Sequence, residues 1–237
     1  RENFQGAPFG WSQDAIDGAL YALLASGHLK AKNANHEPVT AASLERKALT
    51  QTTFDVENVT VTTKQKLDVR RLLVSTVGCN PGEEESKIAE FLAWTRDLAD
   101  KAGGSPPLPH KPDLSLIDEI AGEAGNSRIV KLFDHREQIE TAITRWQAQA
   151  QQIEERRPDW DRLQTLITLS RGLSFHDDLK RESDAIANGR RLTDPQNPVE
   201  TNVKEAADNL RASIQHHFDA YKLAFADELV SIESDEN

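Results

Sequence analysis

Three short stretches hold residue types that could do chemistry. In "SLIDEI", residues 115–120, Asp118 and Glu119 follow an apolar pair in the manner of a Walker B strand, whose acid holds magnesium beside a nucleotide. The stretch "FHDDL", residues 175–179, and the pair His216 and His217 supply imidazole and carboxylate, the donors of a metal-dependent hydrolase. Spacing argues against each. A Pro-Asp pair opens the first stretch and helical sequence flanks it, so Asp118 and Glu119 read as a solvent-facing helix turn. The histidines lack H-E-x-x-H spacing, and adjacent residues on a helix point about 100° apart, so capping and surface roles are expected for them. Cys79 is the single cysteine and has no His or Asp close in sequence to activate it. No lysine follows a glycine anywhere in the chain, which excludes a G-x-x-x-x-G-K-[ST] phosphate loop. No catalytic residue, metal or cofactor is therefore expected in this segment.

Cations give a second candidate chemistry. Lys30, Lys32, Arg70 and Arg71 would be the phosphate contacts of a DNA-binding element. They fall near "GWSQDAIDGALYALLASGHLKAKN", residues 10–33, which reads as a helix delivered into a strand. Ser12 is its expected N-cap, with Trp11 and Ile16 as a hydrophobic staple. Ile16, Ala19, Leu20, Leu23 and Leu24 form the apolar face, and Gly27 is the expected left-handed stop. "HLKAKN" then alternates, and "NANHEP" turns the chain back. A helix plus a hairpin is half a winged helix; fewer than a dozen residues precede Ser12, so the helices that open such a domain are expected outside this chain. The helix shows Asp14 and Asp17 outward, which oppose a polyanion. Residues 1–77 carry nine Lys or Arg against eight Asp or Glu, and the remaining 160 residues carry a net charge of −12. DNA contact is expected to be weak or indirect.

The remaining sequence supplies helices. "TQTTFDVENVTVTT" reads as extended, and "KQKLDVRRLLVSTVG" as a helix facing the core through Leu67, Arg70 or Arg71, and Val74. A further helix should bury Ile88, Phe91, Leu92, Thr95, Leu98 and Ala102. "GGSPPLPHKPD" reads as a stiff connector close to a domain boundary. Residues 127–157 carry a heptad seam of Leu132, Arg136, Ile139, Ile143, Trp146, Ala150 and Ile153, and Pro158 is expected to end or kink that helix. The last helix starts near Pro198 and carries Leu210, Ile214, Phe218, Tyr221 and Phe225, a stripe that could cover the seam within the chain or between chains. The expectation is a mostly α protein: residues 1–77 a winged-helix-like element with an extended segment, 78–112 a helix and Pro-rich connector, and 113–237 a helical bundle or coiled-coil hairpin. No apolar run is long enough to span a bilayer, and no signal peptide is recognisable, so a cytoplasmic protein without membrane contact is expected. The absence of methionine, even at position 1, suits a piece of a longer protein.

In this order, "GAPFGWSQDAIDGALYALLASGHLKA", "AGGSPPLPHKPD", "AGN" at 124–126, "ITRW", "RRPDW" and "LTDPQNPV" resemble the large P-loop ATPase of bacteriophage-exclusion (BREX) systems, the BrxC/PglY family. The resemblance implies a parent protein with an ATPase core elsewhere, binding ATP and magnesium there, and a role in bacterial antiviral defence beside other BREX proteins. None of these stretches is a catalytic motif, so no ATP-binding residue carries over. The expected function is a non-catalytic platform for helical assembly, with other BREX proteins or a second copy as partners. The alternative is an adaptor that touches DNA phosphates nonspecifically.

Overall fold

A computed structural model describes residues 2–235, with side chains from 4 to 231. The chain is mostly helical, with one small three-stranded antiparallel sheet. Contacts divide it into two compact units, each assembled from two pieces of sequence: Arg1–Asp100 with Pro112–Trp146, and Lys101–Lys111 with Gln147–Asn237. This division does not follow the three segments expected from composition.

The first unit opens with α1 (Glu2–Gln5) and α2 (Gln13–Ala25). Ser12 caps α2, its hydroxyl accepting from the Ala15 N–H. Gly27, at φ +75°, ends it: the Gly27 and His28 N–H groups turn back to the Leu24 and Leu23 carbonyls, a two-bond closure that needs a left-handed residue at the turn. Ile16 and Leu24 are buried, but Leu23 is exposed and Asp17 takes a buried position. Trp11 is also exposed; it stacks on Phe4, meets Phe9 edge-on and does not close a buried staple. Strand β1 (Leu29–Lys32) then pairs on one edge with β2 (Pro38–Val39) and on the other with β3 (Thr53–Val56). Ala31, opposite both Val39 and Phe54, joins Leu24, Leu44 and Leu49 in a compact apolar cluster.

Helix α3 (Thr63–Val74) carries a full capping box of Thr62 and Gln65. Its core face is Val69, Leu72 and Leu73, whereas Leu67 and Val74 are exposed, so the expected face is corrected by a rotation. Both readings are helical; the observed one gathers three aliphatic residues at i, i+3, i+4, where the expected one mixed in an arginine. Helix α4 (Glu84–Lys101) buries Ile88, Phe91, Leu92, Thr95 and Leu98, the face its sequence predicts. Helices α5 (Ser115–Ala121), α6 (Gly125–Asp134) and the start of α7 (Arg136–Leu169) complete the unit. The single helix expected over 127–157 is thus two, broken at His135. Arg136 secures the corner, its guanidinium lying over the Phe133 ring and donating to the Phe133 carbonyl. Pro158 does not end α7, which runs unbroken for 34 residues.

The second unit packs the later part of α7 with α8 (His176–Asn188) and α9 (Pro198–Asp235) around Leu163, Leu166, Leu179, Ile186, Leu192, Val199, Val203 and Ala206. Pro198 starts α9, and the Asn197 carboxamide accepts from the Val199 N–H. The Pro-rich stretch is no free connector. Arg190 donates to the carbonyls of Gly104 and Leu108, the Leu192 N–H reaches the Pro107 carbonyl, and Leu108 packs on the core.

Candidate functional site

The residues with potential chemistry are occupied. Asp118 pairs with Arg96 at 2.8 Å and Glu119 with Lys131 at 2.7 Å, both on a helix, so the Walker B-like stretch is a charged helix turn. His176 shares a hydrogen bond with Ser170, and His216 packs edge-on against His217. Among the described residues no group of three His, Cys, Asp or Glu could hold a metal ion. Burial raises the Cys79 thiol above its ordinary range, and the Glu84 charge adds to that, the opposite of what a nucleophilic thiolate needs.

The four cations of the DNA reading are not one open patch. Arg70 is spent on the buried Glu84 carboxylate and Arg71 on Asp68 at 3.1 Å. On β1, Lys32 donates to the Gly122 carbonyl, and Lys30 lies half-buried beside Gly125. Asp14 is ion-paired with Arg46.

The most elaborate polar arrangement of the first unit, at the N-terminus of α6, involves residues that sequence reasoning missed. The Glu85 carboxylate accepts from the Gly125 N–H at 3.1 Å, and Glu57 accepts from the Asn126 N–H at 2.8 Å and from Val59 at 2.9 Å. Asn126 returns a bond to the Val59 carbonyl. Two acids from distant segments thus satisfy orphan donors at the positive end of the helix. Gly125 sits at φ +60°, and a Cβ there would lie 2.6 Å from Glu57 Oε2. A neighbouring guanidinium, Arg128, is buried and donates to the Glu123 and Ala121 carbonyls, closing the end of α5. Burial pushes the Glu85 carboxyl above the usual carboxylate range; Arg128 and the Gly125 N–H oppose this, and Glu57 reinforces it. Glu57, Glu85 and Asn126 line a cleft of about 470 Å³ together with Lys66 and Glu84. Every acid named there already holds a protein donor, so the arrangement fastens α6 in place. The signal in sequence was "EAGNSR", a glycine followed by Asn at a helix start.

A larger cavity, about 580 Å³, lies between α5 and the first turns of α7. Ser115, Ile117, Thr141, Arg145 and Trp146 are among its walls, and the buried Trp146 indole N–H has no acceptor among the described residues.

The residues expected to pack helices divide sharply. Leu132, Ile139, Ile143, Trp146 and Ile153 are all buried. Leu210 is half-buried against the second unit's core. Ile214, Phe218, Tyr221 and Phe225, by contrast, are 62%, 55%, 68% and 55% exposed. Of the two alternatives for this stripe, cover within the chain and cover between chains, the first is not seen: α9 leaves its core after Leu210, and from Ile214 to Ser231 every residue is exposed. Thus α9 presents a long apolar face that no other described residue covers.

No family model, no curated protein and no solved structure matches this chain.

Proposed function

We propose that this chain is a non-catalytic region of a large BREX-type P-loop ATPase, working in the cytoplasm as a helical platform that couples the parent's nucleotide cycle to partner proteins. The observation that carries the reading is the exposed stripe of α9, since contiguous apolar surface of this kind on a folded protein marks an interaction face. The sequence resemblance supplies the antiviral context. The engaged state of Asp118, Glu119, Arg70 and Arg71 supports a role in assembly over one in catalysis or phosphate binding. In this reading ATP and magnesium belong to the parent's core, and DNA contact is weak and salt-sensitive.

The test is a Phe218→Asp, Phe225→Asp double variant in the full-length parent, assayed for phage exclusion in a host carrying the system. Loss of exclusion at unchanged protein level is expected. Intact exclusion overturns the platform reading.

A further inference from the structure

We infer that the exposed half of α9 binds a second copy of itself, antiparallel, forming a two-helix seam centred between Asp219 and Ala220. The inference rests on α9 being an assembly surface and goes further by naming the occupant.

Three observations carry it. First, the stripe is unchanged by reversal. Phe218 and Tyr221 lie equally far from the midpoint on either side, and so do Ile214 and Phe225, and Leu210 and Leu229. Two antiparallel copies would therefore set an aliphatic Ile214 against a bulky Phe225 twice, with Phe218 and Tyr221 meeting at the centre. This is the self-complementarity that a two-fold interface requires. A parallel pair would oppose each aromatic to its own copy and leave the aliphatic end thin.

Second, the area suffices. Aromatic side chains bury about 150–250 Å² each, so five side chains left roughly half exposed or more, Ile214, Phe218, Tyr221, Phe225 and Leu229, offer on the order of 500 Å² per copy. Two copies reach roughly the 1,000 Å² that separates specific interfaces from incidental ones. Leu229 of one copy would land on Leu210 at the edge of the other's core, extending the seam. Leu223 and Val230 point away from it, as scattered surface apolar residues commonly do.

Third, a helix needs the contact. The exposed segment is about 20 residues, or about 30 Å, and in proteins most helical stability comes from tertiary packing of an amphipathic face. Pairing supplies the tertiary packing that this half of α9 otherwise lacks.

The test is sedimentation of the whole chain from about 1 to 100 µM. A concentration-dependent shift from monomer to dimer is expected, and Phe218→Asp should weaken it by about 30-fold or more while leaving the circular dichroism of the folded units unchanged. Orientation is read in a Cys79→Ser background by mixing Ile214→Cys and Phe225→Cys chains under mild oxidation. Disulfides between unlike chains are expected to exceed those between like chains. A wild-type chain that stays monomeric at 100 µM, a dimer indifferent to Phe218→Asp, or like-chain disulfides only would each overturn the antiparallel seam. A monomeric chain whose parent still loses phage exclusion on stripe substitution would reject the second copy and leave the platform reading standing.

Discussion

The start of α6 and the far half of α9 are opposite solutions to the same problem of an incomplete helix. At α6 the unmet groups are polar, and two carboxylates 40 and 69 residues away arrive to meet them. At α9 the unmet groups are apolar, and the chain supplies nothing. An unpaired buried N–H is costly within one molecule, so folding completes it. An uncovered apolar face costs less per residue and can wait for another molecule. The charged residues first suspected of chemistry, Asp118, Glu119, Arg70 and Arg71, are occupied with structure, and the surface left uncovered on α9 is apolar.

Five substitutions would break or sharpen this contrast. The largest effect is expected where the apolar seam is already covered: Ile143→Asp places an unpaired carboxylate at a site 6% exposed and should cost about 3–5 kcal/mol in thermal or urea unfolding. The matching Ile214→Asp, at low micromolar concentration, should change the melting of the units by less than about 0.5 kcal/mol. Equal losses would erase the distinction between the two stripes.

At α6, Gly125→Ala forces a side chain into a left-handed position and against Glu57. A loss of about 2–3 kcal/mol is expected, visible as faster amide exchange in α6 and as a lowered Tm.

Next comes Glu84→Ala, which strands the Arg70 guanidinium. A buried pair costs about 3–5 kcal/mol to break, but Arg70 is a quarter exposed, so about 2 kcal/mol is expected. The pH dependence has a definite sign. Burial works to raise the Glu84 carboxyl, but the Arg70 hydrogen bond and backbone donors outweigh it and hold the group below its ordinary value. Its contribution is full above about pH 4.3 and is lost as pH falls through the lowered value. The difference in stability between wild type and Glu84→Ala should therefore shrink in acid.

A small effect, of opposite sign, is expected at the adjacent residue. Glu85 is raised by burial, so the folded state favours its protonated form and pays for ionisation as pH rises. Glu85→Gln keeps an acceptor for the Gly125 N–H and should be neutral or stabilising by under about 1 kcal/mol at pH 7. Its advantage should vanish as pH falls to the ordinary glutamate value. A marked loss at pH 7 would mean that the charge itself, acting on the helix end and Arg128, dominates the burial cost.

What the sequence disclosed was local. The Ser12 cap, the Gly27 stop, the α4 face and the Pro198 start all follow from residues within one or two turns of each other, and each is found. The α3 face was misread because Leu67 and Val74 satisfy helical spacing as well as Val69, Leu72 and Leu73 do, and only packing chooses. The break at His135 depends on an arginine folding back over Phe133. The Glu57 and Glu85 ties to α6 were invisible because nothing in a local window links a carboxylate to a backbone N–H dozens of residues on. At the Pro-rich stretch, composition reports stiffness and says nothing of Arg190 reaching its carbonyls.

That last clasp sets an order on synthesis. The chain leaves the first unit at Lys101, contributes eleven residues to the second, and returns at Pro112 to finish the first. The ribosome therefore releases the short insert long before Arg190, Leu192 and the helices that hold it exist. At about 5–20 residues per second the insert waits on the order of 4–16 s for its clasp, tethered at both ends to the sequence of the first unit. A cut within residues 103–110 would leave both units' sequences formally present yet sever the chain path of each, so this stretch governs which fragments of the protein can fold when expressed alone.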